Sequence, residues 1–510
     1  MAEETHGHPT VADGDVAGSA ATAHPAGEPS AATGSQSSRS LGRGTRSWLA
    51  RHAVFLTVLL AGVALRAVTQ ETYRPALLFF DSRRYLGNIV PINPGGYAPL
   101  GYTVLAKVVL LVVHDLAALA AVNHVMALAS GVLVYAVMAR RGVARWLAAL
   151  ATVPLMLDAY QLVLEQMVMS DVLFELCVTA ALVALTWHAI PRHRDAAIAG
   201  LCFAGAALTR YVGGPLVITG LLFALLTAGP LRRRLGLAAV LVCSCGLALG
   251  AYAAYNDARN GTFGISSHTA ARSIYARVAT FADCRRLALP AYERQLCPRR
   301  GSVRPRTGSL IEGYTFNHNS PLHHVVAPAG HTKEQLLDDF SKRVILHQPW
   351  AFVRAVAADF VRPFLAWTRS RRHGEIPIER WRFTGHYPRY GSAGSLVHRW
   401  GGGAPRADRT LARVMRGYQL SVGYTPGIVL AVSSLLALAA ALGVTRRTRE
   451  SGLRAVCLLW ASTGLLLFLV AVLYEFSWRY FVPVIVALPP AGAFALTAFR
   501  GRRGRGDVAA

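Results

Sequence analysis

The residues best equipped for chemistry in this sequence are charged side chains set beside apolar runs. The first group is Phe80-Asp81-Ser82-Arg83-Arg84-Tyr85, directly after the apolar stretch 76–80. A carboxylate can take a proton, and a guanidinium can hold a phosphate through two parallel hydrogen bonds. Asp81, Arg83 and Arg84 therefore carry tools for reaction at a phosphate-bearing substrate, although they would also make an ordinary surface ion pair. The second group runs from Asp158-Ala159-Tyr160-Gln161 through Glu165 to Ser170-Asp171. Acids within apolar sequence are costly unless they are partnered or face a wet cavity, which singles out Glu165 and Asp171. Glu175 falls one helical turn beyond Asp171, so a hydrogen-bonded helix-end cluster is the competing use of these residues. Two more arginines, Arg210 in Thr209-Arg210-Tyr211 and Arg479 in Glu475-Phe476-Ser477-Trp478-Arg479-Tyr480, stand with aromatics where apolar runs end. Interfacial anchoring would explain each alone. What favours a shared site is that arginines from separate hairpins would meet carboxylates at one depth on one face, an arrangement suited to the polar head of a lipid.

The elements that must position these groups are membrane helices. The chain has 510 residues, of which 53% are hydrophobic and only 16% charged, and this excludes an ordinary soluble protein of its size. Apolar runs at 49–68, 116–138, 146–157, 168–187, 196–208, 212–227, 235–255, 426–444, 453–474 and 481–498 predict an all-α polytopic membrane protein with about ten transmembrane helices. Arginine clusters at 43–51, 140–145, 192–194, 232–234, 446–449 and 500–505 fall on one side when the spans alternate. Both termini are then cytoplasmic, and 69–115 and 256–425 are extracytoplasmic. The domain reading is a disordered cytoplasmic tail (1–45), an N-terminal transmembrane module (46–255), a loop region (256–425), C-terminal transmembrane helices (426–499) and a basic tail (500–510).

The 53 Lys and Arg against 27 Asp and Glu give a formal charge of +26, which suits anionic partners. Most cationic clusters adjoin apolar runs, so topology control accounts for them and nucleic acid is not expected as a partner. Five cysteines lie within apolar runs and read as packing residues. Cys284 and Cys297 lie instead in a polar, Arg-rich stretch, and either pair as a disulfide in an oxidising compartment or remain free thiols. Closing that loop would stabilise it by about 3 kcal/mol. The mixture of apolar and basic residues over 340–367 predicts an amphipathic helix at the membrane interface.

With these residues in view, the sequence resembles the GT-C superfamily of polytopic glycosyltransferases, in particular the family 39 and aminoarabinose-transferase branch that uses polyprenyl-phosphate sugars. The resemblance covers roughly residues 49–227, and more weakly 478–483. Asp81-Ser82-Arg83-Arg84-Tyr85 is similar to the motif that opens the first outer loop in that family, with Ser82 where members carry a second acid. Tyr97-Ala98-Pro99-Leu100-Gly101-Tyr102 resembles the element before the second span, with Tyr97 where some members place a phosphate-binding lysine. Ser170-Asp171-Val172-Leu173-Phe174, Ala204-Gly205-Ala206-Ala207-Leu208-Thr209-Arg210 and Trp478-Arg479-Tyr480-Phe481-Val482-Pro483 resemble further elements in the same order. The resemblance implies a GT-C-like bundle with interfacial helices and a long extracytoplasmic loop. It implies inverting transfer of a sugar from a polyprenyl-phosphate donor to an extracytoplasmic glycan, lipid or protein acceptor at the plasma membrane.

Asp81 is then the catalytic base, with Asp171 and Glu165 as further catalytic acids that orient the sugar or acceptor. Arg83, Arg84, Arg210 and Arg479 bind the lipid phosphate, and Tyr85, Tyr97 and Glu475 position sugar or acceptor. No cofactor is required by the motifs; a divalent ion (Mg, Mn or Ca) on Asp81 and Asp171 is what some members use. Two other classes share these features: a lipid-linked-sugar flippase or transporter, and a non-enzymatic membrane assembly protein.

Overall fold

The computed structural model describes residues 35–94, 98–265, 269–299, 301, 303, 308–372, 374–388 and 393–501. The chain divides into two units, 1–51 and 52–510. Most of the two expected tails, 1–34 and 502–510, lies outside the described residues. The expectation of disorder to residue 45 does not hold from Ser35 onward. Helix α1, Ser35–Thr72, begins ahead of the apolar run because no proline interrupts the sequence between those residues.

Five helices are long and apolar enough to cross a membrane: Ser47–Thr72, Leu116–Arg140, Leu231–Asn260, Arg454–Tyr474 and Trp478–Arg500. A bent pair, α5 (Arg145–Leu157) and α6 (Ala159–Gln166), turning by 49°, makes a sixth candidate. The chain is a multi-pass helical membrane protein. The other stretches expected as spans are helical but shorter, at Asp171–Thr186, His193–Thr209, Tyr211–Leu226 and Gly427–Leu442. Polar residues set several of these limits. Asp158 ends α5 and caps α6 by accepting from the Tyr160 amide, and Arg210 turns extended after His193–Thr209.

The segment 256–425 carries its own apolar core, in which Tyr275, Leu296, Leu336 and Phe340 are fully buried. Cys284 and Cys297 are joined in a disulfide beside that core. In place of one amphipathic helix over 340–367 there are two, Lys333–His347 and Pro349–Leu365. Pro349 has no amide hydrogen to continue the first helix, yet its fixed φ suits the first turn of the second.

Three devices bring the distant stretches together. Strand β1, Tyr73–Arg74, pairs antiparallel with β2, Arg406–Ala407, tying the first loop to the late part of 256–425. The next residues run beside 166–168: the Leu77 amide donates to the Gln166 carbonyl at 2.9 Å, and the Val168 amide to the Leu77 carbonyl at 3.0 Å. This sets α2 (Phe80–Gly87) against the start of α7 (Asp171–Thr186). Ser82 fixes the join. Its hydroxyl donates to the Val168 carbonyl at 2.9 Å and accepts from the Phe79 amide at 2.8 Å, so the residue standing where relatives carry an acid has a structural task here. The third device is buried Asp158, which pairs with Arg369 at 2.8 Å and accepts from the Thr425 amide at 2.8 Å, with the Arg369 guanidinium 4.1 Å above the Tyr160 ring. Both charges are fully partnered, as burial at this depth demands.

Candidate active site

A cavity of about 440 Å³ opens where these joins meet. Its charged lining comes from short elements whose ends are polar. Asp81 and Arg84 sit three residues apart on α2, hence on one face. Asp171 begins α7. Arg210 follows α8 (His193–Thr209), and Arg479 lies in the turn Trp478–Phe481, capped by Ser477.

The side chains form one continuous chain of ion pairs. Arg84 Nη1 reaches Asp81 Oδ1 at 3.3 Å, and Arg479 Nη1 reaches Asp81 Oδ2 at 2.8 Å. With its other nitrogens Arg479 holds Asp171, Nε to Oδ1 at 3.0 Å and Nη2 to Oδ2 at 2.7 Å. Arg210 Nη1 takes Asp171 Oδ1 from the other side. Asp171 is fully buried, whereas the Asp81 side chain is 22% exposed. Three guanidinium groups against two carboxylates leave one positive charge over. Aromatic faces enclose the arginines: Trp381 lies 5.6 Å from the Arg479 guanidinium carbon and Tyr480 5.5 Å from that of Arg210. Such surroundings are poor in water and strengthen each charge interaction.

Asp81, Arg84, Asp171, Arg210 and Arg479 thus meet in one place. Tyr85 also lines the cavity, with its hydroxyl 2.8 Å from Ser170 Oγ. Burial and the neighbouring Asp81 raise its phenol above the ordinary value, which keeps it protonated. Glu475 lines the cavity as well and accepts from Ser309 Oγ at 2.7 Å. Its burial and the nearby Glu312 carboxylate push its pKa up to about 8, so it holds a proton at neutral pH.

Other expected roles need correction. Glu165 does not line this cavity. Fully buried, it pairs with Arg66 at 2.6 Å and His124 at 2.7 Å, and His124 in turn meets Gln166 at 2.8 Å. That cluster uses up its carboxylate inside the helix bundle. Arg83 points away: it is exposed and makes no ion pair among the described residues. Asp171 has both oxygens engaged by guanidinium groups, so it positions Arg210 and Arg479 rather than offering a free acid to sugar or acceptor. Tyr97 lies outside the described residues. A divalent ion on Asp81 and Asp171 fits this donor set poorly, because the Arg479 guanidinium already bridges the two carboxylates and Arg84 and Arg210 flank them. A dication there would stand against three fixed positive charges. Among the described residues no group of three or more His, Cys, Asp or Glu is placed to hold a metal.

The sequence reading missed the contribution of 256–425. Glu312, Thr315, Arg380 and Trp381 also line the cavity. Charges in a long polar loop cost nothing in water, and so give no signal comparable to an acid inside an apolar run.

No family model matches this chain, and neither does any curated protein. Among solved structures, it is similar to the oligosaccharyltransferase of Archaeoglobus fulgidus in its apo form, with 13% identity, a TM-score of 0.41, and coverage of 86% of this chain and 50% of that one. The same enzyme, AglB, in complex with an inhibitory peptide and a dolichol-phosphate matches at 11% identity with a TM-score of 0.44, covering 88% and 50%. ArnT from Cupriavidus metallidurans in the apo state matches at 13% identity with a TM-score of 0.33, covering 86% and 77%. The chain spans about half the length of the archaeal oligosaccharyltransferase to which it is similar.

Proposed function

We propose that this protein is a membrane glycosyltransferase that moves a sugar from a polyprenyl-phosphate carrier to a hydroxyl-bearing acceptor at the extracytoplasmic face, with inversion at the anomeric carbon. The observation that carries this reading is the convergence of Arg84, Arg210 and Arg479 on two aspartates in one aromatic-walled cavity, with one positive charge in excess. A glycosyl phosphodiester brings one negative charge, which balances the cluster. As the bond to the sugar breaks, a second charge develops on phosphate, where the arginines are already aimed.

The acceptor oxygen attacks the anomeric carbon from the face opposite the phosphate, and the electron pair of the breaking carbon–oxygen bond passes to the leaving phosphate oxygen. The acceptor proton goes to Asp81. A single displacement of this kind inverts configuration. Asp171 keeps Arg210 and Arg479 at one depth and touches no reacting atom. No step is routed through a metal. In this reading the ten apolar stretches each cross or enter the bilayer, both termini are cytoplasmic, and the 256–425 region stands outside the membrane, where it meets the acceptor.

The test is turnover. The full chain, reconstituted in nanodiscs or vesicles with polyprenyl-phosphate sugars and a membrane fraction as acceptor, should release free polyprenyl phosphate only when acceptor is present. Binding of the lipid without release, across a range of sugars and acceptors, would favour an assembly or transport protein instead.

A further inference from the structure

Part of the cavity wall is chemically unlike the arginine end. On the helix Leu310–Phe316, Glu312 receives both prongs of Arg380, Nη1 to Oε1 at 2.6 Å and Nη2 to Oε2 at 2.9 Å. Glu475 accepts from Ser309 through Oε1, and its Oε2 has no partner among the described residues. Trp381 is 2% exposed and lines the cavity, yet its Nε1 hydrogen finds no acceptor among the described residues. A buried indole normally finds a partner, and leaving it without one is unfavourable. This wall therefore offers an unused donor, an unused carboxyl oxygen and a flat aromatic face. Sugar hydroxyls both donate and accept, and the C–H faces of a sugar ring suit an aromatic surface, so a glycosyl ring matches all three features.

The position is equally specific. The Trp381 ring lies 5.6 Å from the Arg479 guanidinium carbon. A sugar joined by one oxygen to a phosphate held on Arg479 would fall onto Trp381. We propose that Trp381 and Glu475, with Glu312 held in place by Arg380, form the recognition subsite for the glycosyl ring of the donor lipid, and that this ring is a neutral sugar. The claim rests on the phosphate-binding reading given above. The neutral class follows from the wall's charge. Glu312 is already neutralised by Arg380, and Glu475 keeps its proton at neutral pH, so neither is a ready counter-ion for an amino sugar. A uronic acid would bring a second negative charge toward Glu312.

The experiment measures binding to the full chain in nanodiscs. The probes are a bare polyprenyl phosphate, the same lipid carrying glucose, mannose or arabinose, and the same lipid carrying an amino pentose. The expected result is that one neutral-sugar lipid binds about ten-fold more tightly than the bare phosphate and more tightly than the amino-sugar lipid. Trp381→Phe, which keeps the aromatic face but loses the N–H, and Glu475→Ala should each remove most of that preference. Bare-phosphate binding should stay unchanged in both variants, which also shows that they are folded. Glu475→Gln mimics the protonated carboxyl and should retain the preference. A wild-type protein that binds the bare lipid as well as every sugar-bearing one, or variants whose preference is intact, would overturn the subsite while leaving the phosphate site standing. Tighter binding of the amino-sugar lipid would overturn the neutral class. Bare lipid phosphate that fails to bind, or binds equally well to Arg479→Ala, would remove the parent reading itself.

Discussion

Asp81→Asn should cut sugar transfer by about 10²- to 10⁴-fold, the range expected when a positioned base is removed, while the donor lipid binds as well as before or better. The amide is nearly the same size as the carboxylate but cannot take the acceptor proton. It also releases the two guanidinium groups that Asp81 engages, Arg84 at 3.3 Å and Arg479 at 2.8 Å. In the free protein these arginines are shared between carboxylate and cavity, so a lipid phosphate must compete with Asp81 for them. Without the negative charge that competition ends. Stability should change little, since the Arg84 pair is exposed to solvent and such pairs contribute at most about 1 kcal/mol. The measurement is single-turnover transfer alongside binding of bare polyprenyl phosphate by the same preparation. Wild-type turnover in the variant would remove Asp81 from its role, whatever its binding did.

The second large effect is expected at Arg479. This residue alone contacts both aspartates, spending Nε and Nη2 on Asp171 and Nη1 on Asp81. A planar fork can do this, whereas the single ammonium of a lysine cannot reach both in the same geometry. Arg479→Lys therefore preserves charge but loses the bridge, and transfer should fall by about 10²- to 10³-fold through loss of aimed donors at the leaving phosphate. Arg479→Ala should do more harm. It leaves Asp171, fully buried, with Arg210 as its remaining ion-pair partner, and removing one partner of a buried pair costs about 3–5 kcal/mol. The two variants separate chemistry from folding: the lysine form should unfold near the wild-type temperature but turn over poorly, and the alanine form should fail in both respects. A lysine variant with full kcat would show that the fork is not needed.

The sequence exposed some of this because apolar surroundings make a charge conspicuous. Asp81, Arg84, Asp171, Arg210 and Arg479 all stand at the ends of apolar runs, and each now lines or borders one cavity. The same signal misled at Glu165 and Asp158. Their partners, Arg66, His124 and Arg369, are far away in sequence and only the packed helices bring them near. An acid satisfied from a distance and an acid facing a pocket look alike in one dimension. Helix ends were less legible than helix cores. The break at Gln348 turns on a single proline, and the shorter helices stop where a polar side chain captures the backbone, as Asp158 does. Least visible was the outer wall of Glu312, Arg380 and Trp381. Its residues lie in water-facing sequence where polar groups carry no penalty, and they reach the site only because Arg380 clamps Glu312 and Trp381 packs between Phe79 and Arg479.

The central claim is that the guanidinium groups of Arg84, Arg210 and Arg479 receive a lipid phosphate beside Asp81. A cryo-electron microscopy structure of the full chain in nanodiscs with added polyprenyl phosphate tests it directly. The account predicts phosphate density within hydrogen-bonding distance of Arg479 and at least one of Arg84 and Arg210, with the Arg479 contact to Asp81 lengthened or broken. Phosphate bound elsewhere, with the arginines still closed on both aspartates, would contradict it.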